Sequence, residues 1–74
     1  MHGVSSTDMR NALLKHFNME ELEDLCYELL IDHEAIAGST KPAKVRNLIL
    51  YVERHGKSSE LEHKVRSLRP QALP

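Results

Sequence analysis

The sequence predicts an all-α fold, a compact bundle of five short helices, on three observations. Apolar residues recur at three- and four-residue spacing along most of the chain. Ser, Thr, Asn or Asp stands just ahead of each periodic segment, where an N-cap is wanted. The gaps between segments are two to six residues, the usual length of helix–helix connections. At 74 residues the chain makes one small domain. Residues 1–6 read as a flexible lead-in, 7–70 as the domain and 71–74 as a tail.

Five segments carry the pattern. Ser6 or Thr7 can cap the first, with Asp8 in its opening turn and Met9, Ala12, Leu13 and Phe17 on one stripe. Asn18 caps the second, with Glu21 as its capping-box partner. Its stripe is Leu22, Leu25, Cys26, Leu29 and Leu30. Asp32 can cap a short third segment through His33–Ile36, which Gly38 ends. Ser39 or Thr40 caps the fourth, where Pro42 sits in the first turn without harm because that N–H has no partner anyway. Val45, Leu48, Ile49 and Val52 face inward, and Arg54, His55 and Gly56 close the segment. Ser58 or Ser59 caps the fifth, with Glu62 placed for a capping box, Leu61, Val65 and Leu68 as its stripe and Pro70 as its stop.

The formal net charge of −1 hides two opposed blocks. Residues 18–36 carry seven acids and no Lys or Arg, a charge of −7. Residues 41–57 carry Lys41, Lys44, Arg46, Arg54 and Lys57 against Glu53, a charge of +4. Seven uncompensated acids repel one another, and either solvent or a basic partner surface relieves them. A basic patch on a helix also raises nucleic acid as a partner. Against it stand the acidic block, which repels phosphate, and the scarcity of stacking aromatics, with only Phe17, Tyr27 and Tyr51. Tyr27 and Tyr51 fall just beside their core stripes, positions that suit either a core edge or an interface anchor.

No catalytic residue, metal ligand, cofactor or small-molecule substrate emerges. A thiol nucleophile needs exposure and a nearby base. Cys26 lies instead among the inward-facing leucines of the second segment, surrounded by carboxylates that would raise its pKa. The five histidines lack the i,i+4 or CxxC spacing of a zinc site. The acids lie along a helix rather than around the glycine turn of a calcium loop. No apolar run approaches the roughly 18 residues of a membrane span, and the first residues lack the pattern of a secretory signal. The single thiol fits a reducing compartment, and a cytoplasmic location is expected.

Several elements then come together in a fixed order: LLKHFN, EELEDLCYELLID, the short turn before Gly38, the KxxKVRNLI helix with Tyr51, and ERHG followed by EL. In that order they resemble the bacterial effector-associated domains of the death-like superfamily, over roughly Met9 to Leu68. The resemblance implies a death-fold-like bundle, six helices in full form, with no catalytic activity. It implies an adaptor that pairs with like domains, on other proteins or on its own copies, and brings a protease-like, caspase-like, TIR or NTPase module to its sensor in bacterial conflict systems. It also implies head-to-tail packing of unlike surfaces. On this chain the acidic surface would be Glu20, Glu21, Glu23, Asp24 and Glu28. The basic one would be Lys41, Lys44, Arg46 and Arg54, with Tyr27 and Tyr51 as candidate interface aromatics. The competing reading is a small helical nucleic-acid-binding regulator, whose binding would weaken steeply with salt.

Overall fold

The computed structural model describes residues 4–74. Four α-helices form: α1 (Ser6–His16), α2 (Met19–Glu28), α3 (Lys41–Arg54) and α4 (Ser58–Leu68). Between α2 and α3 lies a single 3-10 turn, His33–Ala35. The expected count of five to six helices is therefore corrected to four and one turn. The physical reason is length, since only a few residues separate the Asp32 cap from Gly38. That is too short to propagate past a costly helix nucleus. The radius of gyration, 11.0 Å, is that of a globular chain of this length, for which about 11 Å is typical.

α1 packs chiefly on α3, and α3 also contacts α4. Leu13, Leu22, Leu25, Leu48, Leu61, Val45, Val52, Val65 and Cys26 are fully buried between the helices. Met9, Ala12, Phe17, Leu29, Ile31, Ile36, Ile49 and Leu73 complete the core, so the last residues of the chain return to it. The expected flexible lead-in over 1–6 lies partly outside the described residues. Within them, Val4 packs against the core and its N–H donates to Glu62 at 3.4 Å.

Capping accounts for where the helices begin. Ser5, one residue before the expected Ser6 or Thr7, accepts from the Asp8 N–H and starts α1. Asn18 and Glu21 form the reciprocal capping box at α2. Asp32 caps the 3-10 turn and Thr40 caps α3. At α4 the expected serine cap and Glu62 capping box are absent. Lys57 occupies the N-cap without a side-chain bond, and Glu62 instead accepts from Arg66 at 3.2 Å. Ser58 is already helical, so its hydroxyl stands past the position from which a cap reaches the free N–H groups.

Two helices end in the same way. At α3 the Lys57 N–H donates to Val52 O at 2.7 Å and the Gly56 N–H points to Glu53 O, with Gly56 left-handed at φ 68. At α2 the Ile31 N–H donates to Cys26 O at 2.8 Å and the Leu30 N–H to Tyr27 O at 3.1 Å, with Leu30 left-handed at φ 60. Both are Schellman closures. The second overturns one expectation: Leu30 does not belong to the buried stripe. Leaving the helix one residue earlier swings it outward to 89 % exposure and brings Ile31 into the core in its place. Leu68, expected on the α4 stripe, is likewise 44 % exposed.

Gly38 is required where the chain turns into α3. Its φ is +128, and a Cβ there would lie 2.7 Å from the Lys44 backbone nitrogen. Only a residue without a side chain lets this connection approach the helix so closely.

Candidate interaction surfaces

α2 buries Leu22, Leu25 and Cys26, which turns its acids outward. The five acids of the expected acidic surface do not share one environment. Glu21 is half-buried, accepts the Asn18 N–H at 3.0 Å and receives Arg69 at 2.6 Å. The Asn18 N–H lowers its pKa most; desolvation opposes this and the Arg69 guanidinium adds to it. Glu28 pairs with Lys64 of α4 at 2.8 Å. Glu20, Glu23 and Asp24 have no ion-pair partner among the described residues. The outer part of α2 is therefore left with a net negative surface, while its α4-facing edge is neutralised within the molecule.

The basic set divides more sharply. Arg54 and Arg46 are exposed, and Lys41 is partly so at the start of α3. Lys44 is buried at 6 % exposure. Its Nζ donates to His33 O at 2.6 Å and to Ile36 O at 2.9 Å, carbonyls of the 3-10 turn. A lysine on this face of α3 meets two carbonyls of the turn, His33 O, which also accepts the Ile36 N–H at 3.1 Å, and Ile36 O. Its ammonium fastens the turn to α3, while its stem fills the core margin. In place of Lys44, the structure brings up Arg10 from α1. Arg10 and Arg46 jointly border two adjoining grooves between α1 and α3. Sequence alone does not place Arg10 beside Arg46, because α1 and α3 meet only in the fold.

The tyrosines also separate. Tyr51 is half-buried and stacks on His55, centroids 4.0 Å apart. Tyr27 is 82 % exposed and touches the end of α2 that carries Leu30. No three His, Cys, Asp or Glu side chains gather as a metal site among the described residues. No helix among them is long and apolar enough to cross a membrane.

The model of the family described as effector-associated domain 7 matches residues 9–70, from within α1 to just past α4. The chain belongs to that family. No curated protein and no solved structure matches it. As an effector-associated domain it takes an adaptor-type role in effector proteins, and such domains are generally non-catalytic. The match spans both charged surfaces of this effector-associated domain, the α2 acids and the α3 bases alike.

Cys26 has the chemistry of a core residue in this effector-associated domain. It is fully buried between α2 leucines. Burial pushes its thiol pKa up, against a smaller lowering by Lys44, and Glu23 raises it further. A protonated, enclosed thiol is a poor nucleophile.

Proposed function

We propose that this domain is a non-catalytic adaptor of death-fold type that recruits or assembles effectors through homotypic or like-domain contacts. Its setting is bacterial conflict signalling, with protease-, caspase-, TIR- or NTPase-linked modules as the effectors recruited. The observation that carries this reading is the separation of unpaired charge. Among the described residues, Glu20, Glu23 and Asp24 on α2 form no ion pair, and neither do Lys41, Arg46 and Arg54 on α3. Two opposite surfaces on one small domain favour a head-to-tail contact, which gives rings or open filaments. Complementary charge speeds and orients encounter more than it tightens binding, so the isolated domain associates weakly and avidity raises the strength in an assembly.

The test is the double substitution Glu20→Lys with Asp24→Lys, both at exposed positions. Association, read by light scattering at low salt, is expected to disappear while the far-ultraviolet circular dichroism stays that of the native helices. Association undiminished by the reversal removes α2 from the interface.

A further inference from the structure

The two Schellman closures differ in one respect that folding does not explain. The left-handed residue at α3 is Gly56, which adopts that conformation without strain, whereas at α2 it is Leu30. A leucine there is strained, and its side chain, 89 % exposed, gains no burial in return. Tyr27, bonded to it across the turn, is 82 % exposed. Two large apolar side chains thus stand together on a turn that would be more stable with glycine. Strain kept at an exposed, apolar position points to a use outside the fold. Glu23 and Asp24, one helical turn before Tyr27 and without an ion-pair partner among the described residues, give this knob an acidic border.

The complementary surface is the α1–α3 groove. Arg10 and Arg46 form its walls, and neither has a carboxylate partner among the described residues. Leu14 and Pro42 line the larger part, a hollow of about 450 Å³. Leu50, 47 % exposed, lines the other. Its one acid, Glu53, accepts the Ser6 hydroxyl. Arg10 and Arg46 beside Leu14, Pro42 and Leu50 suit an apolar side chain flanked by carboxylates.

We infer that Tyr27 and Leu30 of one molecule anchor in the Arg10–Arg46 groove of a second copy of this chain, with Glu23 and Asp24 meeting the arginines. This rests on the adaptor reading and names the anchor within it. Knob and groove share no residue, so a single knob-in-groove contact leaves one knob and one groove open to a further copy. Tyrosine and arginine, with tryptophan, are the residue types enriched among those that dominate such contacts.

The experiment measures sedimentation of four proteins from micromolar to millimolar concentration: wild type, Leu30→Gly, the double variant Arg10→Glu/Arg46→Glu, and the α2 charge reversal. Leu30→Gly is expected to melt at a higher temperature yet associate about tenfold or more weakly. A gain in stability rules out misfolding as the cause of lost binding. The arginine double variant is expected to be monomeric with native circular dichroism. An equimolar mixture of these two variants should then form a 1:1 complex that grows no further, because one keeps its groove and the other its knob. Wild-type association by Leu30→Gly overturns the anchor. If the charge reversal still abolishes association in that case, the adaptor reading stands without it. A mixture that stays monomeric overturns the pairing of knob with groove. A wild type that is monomeric throughout overturns the second copy as occupant and leaves the adaptor reading to a different protein partner.

Discussion

Lys44→Met separates a structural lysine from an interface lysine. The substitution keeps an aliphatic chain at a position 6 % exposed and removes only the ammonium. Two bonds vanish, to His33 O at 2.6 Å and Ile36 O at 2.9 Å. His33 O keeps the Ile36 N–H at 3.1 Å, but Ile36 O loses its donor. Bonds to a charged group each contribute about 1.5–3 kcal/mol net, so the pair is worth about 3–6 kcal/mol before the ammonium's own burial is counted. Relief of that burial, itself several kcal/mol, offsets a large part. A net loss of about 2 kcal/mol remains, which lowers Tm by roughly 8–16 °C in a domain of this size. Urea titration at 25 °C and thermal melts read the loss directly. Amide exchange should quicken at Ala35 and Ile36 before it does in α4. An unchanged urea midpoint would refute the fastening role, and loss of association at unchanged stability would return Lys44 to the interface.

Gly38→Ala and Gly56→Ala should diverge. Both place a side chain at positive φ, but only at position 38 would the Cβ also strike backbone, whereas nothing lies within 4 Å of it at position 56. About 1 kcal/mol is expected at Gly56 and at least about 2–3 kcal/mol at Gly38, read from paired urea midpoints, and equal losses would deny the close approach. Glu21 makes stability depend on pH. Its folded pKa lies below its ordinary value of 4.5, so the unfolded chain binds more protons between the two values. The stabilisation is complete above 4.5 and fades as pH falls through the folded pKa. The Tm gap between wild type and Glu21→Gln should therefore be widest near neutrality and close in acid, and a gap independent of pH contradicts the linkage.

Helix positions, most caps and most of the core follow from local chemistry, and the sequence by itself determined them. A stripe such as Val45, Leu48, Ile49 and Val52 needs no knowledge of its neighbours, and Asn18 finds Glu21 three residues away. The all-α class, the unreactive position of Cys26 and the opposition of acidic and basic blocks were legible for the same reason. What depends on distant chain was not. Lys44 turns inward because the carbonyls of the 3-10 turn lie over α3, and periodicity alone does not reveal where a loop will pass. Glu21 and Glu28 are neutralised because Arg69 and Lys64, more than thirty residues on, arrive beside them. Leu30 looks buried by spacing and is exposed, since closing α2 one residue earlier was favoured by bringing Ile31 into the core. Arg10 joins Arg46 only when α1 lies on α3. Charge content is a property of sequence, but which charges remain free to meet a partner is decided by the tertiary contacts that consume the rest.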